Sequence, residues 1–160
     1  MRRLAFTLVF FSLAAAASAQ DVLKLRKTAT ASKELRVHGY VHTDETCESK
    51  ELPEIELNIP PVGGIACVRP GIVRLQFVWS DRIQRCIGKR FDGALVIYVP
   101  FGSFAGVDTM QYTVRTPSQA RTYEVEVKVE GSPAAAAGAS SAPPEPQKAG
   151  PMPKCPALVS

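Results

Sequence analysis

Residues Thr122-Tyr123-Glu124-Val125-Glu126-Val127-Lys128-Val129-Glu130 decide the class of fold. Tyr123, Val125, Val127 and Val129 fall on one side of an extended chain, with charged side chains on the other. A period of two marks a half-buried strand, because successive side chains of a strand point to opposite faces. The same period recurs elsewhere in the chain. Thr109 to Thr116 turns Met110, Tyr112 and Val114 inward, and Pro53 to Ile59 does so with Ile55, Leu57 and Ile59. Ile72 to Trp79 places Val73, Leu75, Phe77 and Trp79 on one face. Ala94 to Val99 is apolar on both faces and reads as a central strand. Leu35 to Val41 is a weaker strand and Val22 to Lys27 an edge. Turn signals fall at Pro60 to Gly64, Arg69-Pro70-Gly71, Asp92-Gly93, Phe101-Gly102-Ser103 and Thr116-Pro117-Ser118. No stretch carries a helical period. The expectation is an all-β domain over residues 20–130, an antiparallel β-sandwich of about seven strands.

The two ends differ from this body. Met1-Arg2-Arg3, the apolar run Leu4 to Leu13 and the small residues Ala17-Ser18-Ala19 read as a signal peptide over residues 1–19. The run is too short for a membrane span, and nothing later approaches the ~18 consecutive apolar residues a span needs. The mature chain is therefore expected in the periplasm or outside the cell, with no transmembrane segment. Residues 131–160 hold seven prolines and eight alanines and few large apolar side chains, so they read as a disordered low-complexity tail. Cys155, within that tail, can tie it to the body or to another chain.

Export implies an oxidising compartment, and Cys47, Cys67, Cys86 and Cys155 all lie beyond the leader. No C-x-x-C pair exists, which argues against a zinc ribbon or a thioredoxin-like centre. Four cysteines allow three connectivities. The formal charge of the whole chain is +4, but residues 20–130 carry 15 Lys/Arg against 14 Asp/Glu. Nearly neutral and exported, the body is not expected to bind nucleic acid. Its charge is nonetheless uneven: Asp44, Glu45, Glu48, Glu51, Glu54 and Glu56 crowd one segment, and Arg69, Arg74, Arg82, Arg85, Lys89 and Arg90 another. These are either opposed binding patches or solvated faces whose charges pair with one another.

From Tyr98 to Val114 the chain reads YVPFGSFAGVDTMQYTV. Tyr98, Pro100, Phe104, Gly106, Asp108, Tyr112 and Val114 stand at the spacing of a signature found in bacterial cadherin-like, immunoglobulin-like repeats, with Met110 where phenylalanine is usual. The stretch resembles that family, and Pro61-Val62-Gly63-Gly64 resembles its upstream P-x-H-G turn without the histidine. The resemblance implies an immunoglobulin-like sandwich and adhesion or spacing roles, here in a single copy without tandem repeats. It carries over no calcium ligands. Asp108 is expected to cap its own turn, and the Tyr112 hydroxyl to serve as a tyrosine corner. The resemblance also implies a Cys47–Cys86 bond, since family members carry a cysteine ahead of the second strand and one in a C-x-G turn, here Cys86-Ile87-Gly88. Cys67 is then left for Cys155.

Candidate chemistry is sparse. His38 and His42 share a strand face but stand roughly 13 Å apart at about 3.3 Å per residue, too far for one metal. There is no G-x-S-x-G elbow, and a Cys–His nucleophile would need a thiol kept reduced in an oxidising space. No catalytic, metal or cofactor residues are assigned, and the chain is not expected to be an enzyme. Its partner is expected to be a protein or another cell-envelope component, bound by an adhesion or structural module. The alternative is an inhibitor or accessory subunit that docks through the loop Ser80 to Gly93, with Arg82, Arg85, Lys89 and Arg90 as its contact residues.

Overall fold

A computed structural model describes residues 22–78, 80–131 and 146–156. The expected leader at 1–19 lies outside the described residues. The strands are β1 (Val22–Thr30), β2 (Leu35–Tyr40), β3 (Glu54–Ile59), β4 (Gly64–Arg74), β5 (Arg90–Pro100), β6 (Gly106–Thr116), β7 (Gln119–Glu130) and β8 (Gly150–Pro151). They form a five-stranded sheet, β1-β7-β6-β3-β8, and a three-stranded sheet, β2-β5-β4. A 3₁₀ turn at Asp81–Cys86 is the one helical element among the described residues.

The alternation at 122–130 is realised as β7. Its inward residues meet those of β6 directly across the ladder: Tyr112 opposite Tyr123, Met110 opposite Val125, Asp108 opposite Val127. On the outer face β1 adds to the other side of β7 in parallel register, which sets Lys24 against Glu124 and Arg26 against Glu126. Both are ion pairs, at 3.4 and 3.7 Å. The five-stranded sheet is thus mixed, because alternation reports which face is dry and not which way a neighbour runs, whereas the three-stranded sheet is antiparallel as expected.

The two sheets share one core. Val37, Tyr40, Ala66, Ala94, Val96 and Tyr98 come from the three-stranded sheet, and Leu57, Met110, Tyr112, Val114, Tyr123, Val125 and Val127 from the five-stranded one. Each large side chain so buried is worth about 1.5–3 kcal/mol. The Tyr40 and Tyr112 hydroxyls bond each other at 2.7 Å across the sheets, so neither is buried without a partner.

Several expected turns are strand interior. β4 runs straight through Arg69-Pro70-Gly71, which an edge strand permits: proline lacks only the N–H of one ladder position. Asp92-Gly93 likewise lies within β5, where a Cβ on Gly93 would stand 2.5 Å from the Tyr40 carbonyl oxygen. Glycine serves close approach there and not a turn. The expected strand at 72–79 ends at Arg74, and Phe77 is 64% exposed instead of inward; Trp79 lies outside the described residues. Ile59 is also exposed, because the ladder between β3 and β6 slips between Leu57 and Ile59 and turns it to the outer face beside Gln111.

Asp108 does more than cap its own turn. Its buried carboxylate accepts from the amides of Val62, Gly63 and Thr109 and from the Tyr98 hydroxyl, at 2.7–3.1 Å. It therefore fastens the loop before β4 to both sheets, and four donors compensate the desolvation of its charge. Tyr112 departs from the corner role too, since its hydroxyl partner is a side chain.

The reading of residues 131–160 as a disordered tail needs correction at 146–156; residues 132–145 lie outside the described residues. Gly150–Pro151 pairs with Glu56 and Leu57 of β3, and the Met152 amide bonds the Ile55 carbonyl at 2.8 Å. Met152 is buried in the shared core. The chain then crosses to β4, where the Val68 amide bonds the Pro153 carbonyl at 2.8 Å and the Cys155 amide bonds the Val68 carbonyl at 2.9 Å. Gln147 uses its side-chain amide as a further strand would, accepting from the Ala66 N–H at 2.8 Å and donating to the Ala66 carbonyl at 2.7 Å. The segment is a strap that covers one edge of each sheet.

Candidate docking surface

The described cysteines form two disulfides, Cys47–Cys86 and Cys67–Cys155. Such bonds belong to an oxidising compartment. No helix among the described residues is long and apolar enough to cross a membrane.

The first bond shapes an arm that projects from the β4–β5 hairpin. Beyond Arg74 the chain leaves the ladder, although Leu75 and Gly88 still exchange main-chain bonds with Lys89 and Leu75, at 2.9 and 2.7 Å. The 3₁₀ turn fills the tip and buries Cys86 alone of its residues. With so few apolar groups covered, the arm is held from outside, by Cys47 in the acidic loop 43–50. That loop has its own organiser. The Asp44 carboxylate accepts from the Thr46 amide and hydroxyl and the Glu48 amide, at 2.6–3.0 Å, and pairs with Lys50 at 2.7 Å. Lys50 first, then the Thr46 hydroxyl and the Glu48 amide, hold the Asp44 carboxyl well below the usual carboxylate range. Cys47 sits at φ 65°, a left-handed position that the surrounding bonds impose on a side-chain-bearing residue.

The structure divides the four cations expected at the contact. Arg82 pairs with the Glu45 carboxylate at 3.6 Å, and the Arg85 guanidinium donates to the Glu45 carbonyl. Both are therefore occupied in bracing the acidic loop, and to that extent the two charged segments pair with each other. Lys89 and Arg90 lie instead on the hairpin stem and make no ion pair among the described residues. Arg90 is directly opposite Arg74, and the next same-face pair is Ile72 with Asp92. Two like charges facing across a ladder are unfavourable. Arg74 spends one donor on the Gly88 carbonyl, at 3.1 Å. Ile72, Phe77 and Ile87 are 47, 64 and 44% exposed. The arm thus presents apolar groups among cations, the composition of a contact surface. The sequence put Arg74 in the basic segment and Ile72 at the start of a strand but named neither as a contact residue, because the turn expected at Asp92-Gly93 concealed the ladder that places Arg74 opposite Arg90.

Elsewhere the structure offers less. His38 lies tilted against Tyr40 and stacked on Tyr123, with ring centroids 4.9 and 6.4 Å away, and desolvation by burial, followed by repulsion from Lys27 and Arg36, lowers its pKa. His42 lines a groove with Glu51, Glu54 and Arg115, but both carboxylate residues are exposed and Arg115 is paired with Glu56 at 3.1 Å. No group of three or more His, Cys, Asp or Glu gathers as a metal site among the described residues. The chain matches no protein-family model, no curated protein and no solved structure.

Proposed function

We propose that this chain is an exported, non-enzymatic, immunoglobulin-like binding module of the cell envelope, and that the β4–β5 arm is its contact surface. The strand order supports the immunoglobulin-like reading, and the two disulfides support export. β2-β5-β4 corresponds to strands B, E and D of the immunoglobulin sandwich and β3-β6-β7 to C, F and G, with the first strand shifted onto the seventh. The observation that carries the contact surface is the facing pair Arg74 and Arg90, with Lys89 beside it and exposed Ile72 on the same stem. A like-charge pair whose same-face neighbour Asp92 forms an ion pair with neither arginine is relieved by an acidic partner, and such a patch speeds encounter and fixes orientation.

The narrower reading, an inhibitor or accessory subunit, draws on the Cys47–Cys86 bond. An arm already braced loses less conformational entropy on docking. One experiment tests both. Capture of partners from an envelope extract should fall at least about fivefold, or ~1 kcal/mol, in Arg74→Gln/Lys89→Gln/Arg90→Gln. Unchanged capture removes the arm from the proposal, and loss of the partner's own activity on binding selects the inhibitor.

A further inference from the structure

Residues 146–156 reach the body only through residues 132–145 and through the contacts they make on arrival. Those contacts form a complete seat: two main-chain bonds on Val68, one on Ile55, the ladder position on β3, both polar groups of Ala66 met by Gln147, a core place for Met152 and a bond between Cys155 and Cys67. None of them depends on which chain supplies the strap. An empty seat would leave the Ala66 and Val68 edge of β4 open and a gap in the core where Met152 sits, so it is a strong acceptor. The strap cannot itself extend a sheet, because Pro151 and Pro153 offer no N–H to a further strand. Strand addition therefore stops at the strap.

We propose that the β3–β4 edge is a strand-acceptor site and that the strap of a second copy fills it, two copies trading straps to make a closed dimer joined by two Cys67–Cys155 bonds between chains. The link allows this: from Gly131 to Pro146 the chain can reach roughly 50 Å at ~3.4 Å per residue. Exchange loses no contact, and the choice between own and foreign strap is set by concentration. Covalent linkage keeps a chain's own strap at an effective concentration on the order of 1 mM, so the swapped form gains as protein concentration approaches that value. The disulfide then fixes whichever strap is seated. With oxidised glutathione as the oxidant, the Cys67 thiolate attacks it and releases one glutathione thiolate. The Cys155 thiolate next attacks the Cys67–glutathione bond and releases the second. Two protein thiols are oxidised, one glutathione disulfide is reduced, and the two protons pass to the released thiolates.

The test uses the chain itself. Equal amounts of isotope-labelled and unlabelled protein are reduced, unfolded, mixed and refolded over a concentration series in a glutathione couple, and the disulfide-linked peptides are mapped by mass spectrometry. Mixed-isotope Cys67–Cys155 peptide is expected to rise about tenfold for each tenfold rise in concentration while it is the minor form, with Cys47–Cys86 remaining within one isotope. Cys67–Cys155 confined to one isotope at every concentration overturns the proposal. So does equal mixing of both bonds, which reports unselective scrambling. Met152→Asp should suppress the mixed peptide, and its persistence in that variant would show a cross-link made without seating.

Discussion

The arm and the strap are each held by one disulfide, yet the bonds fasten different kinds of structure. The arm buries little, and Cys47–Cys86 joins it to a loop organised by one carboxylate. The strap places Met152 in the core and completes the hydrogen bonding of two strand edges, so Cys67–Cys155 fastens something already seated. A covalent staple substitutes for a core in the first and secures one in the second. Chain entropy alone ranks them the other way, since it counts only the length of loop closed.

The largest effects come from opening the bonds. With sequence separations of 39 and 88, Cys47→Ala/Cys86→Ala and Cys67→Ala/Cys155→Ala should lower stability by about 4 and about 4.6 kcal/mol on the entropic account. Hydrogen exchange separates them: the Leu75 and Gly88 amides should lose protection in the first variant, while the Val68 and Met152 amides keep theirs in the second. A strap that melts with its disulfide would erase the contrast. Next, Met152→Ala should cost about 2–4 kcal/mol in denaturant unfolding, against less than about 0.5 for Ile87→Ala on the exposed arm. Gln147→Ala strands both polar groups of Ala66 and should cost about 1–3 kcal/mol; a value near zero would mean that solvent reaches this edge. The smallest effect concerns Asp44. Its folded-state pKa is depressed, so its contribution to the acidic loop is complete above the ordinary value near ~3.9 and is lost as pH falls through that value toward the folded one. Amide shifts of Thr46 and Glu48 should hold steady below the usual aspartate midpoint, and a midpoint at ~3.9 would remove Asp44 as the organiser.

Legibility followed burial. The alternating face of β7, the apolar run of β5 and the dry faces of β3 and β6 could be read because many side chains repeat one choice. Ile59 could not, since one slipped residue between β3 and β6 reverses its face without altering composition. Pro70-Gly71 misled because proline at a sheet edge and proline in a turn are the same letters. The strap was hidden most deeply: its affinity rests on one methionine, one side-chain amide and a cysteine within a Pro/Ala background, too few positions to make a pattern. Its cysteine was the one visible sign. On the arm the cations were legible as a cluster, whereas their division between Glu45 and the hairpin stem was set by pairing.

The tyrosines of the core have an optical consequence. The chain contains four, Tyr40, Tyr98, Tyr112 and Tyr123, and all are buried, with burial the leading cause that raises the pKa of each. Raised folded-state values mean that stability is intact below the unfolded phenol value near ~10 and drains away as alkalinity rises above it. With no surface phenol to ionise first, the ultraviolet band of tyrosinate should stay silent and then appear in a single cooperative step as the sheets separate, making base titration a direct gauge of the whole fold.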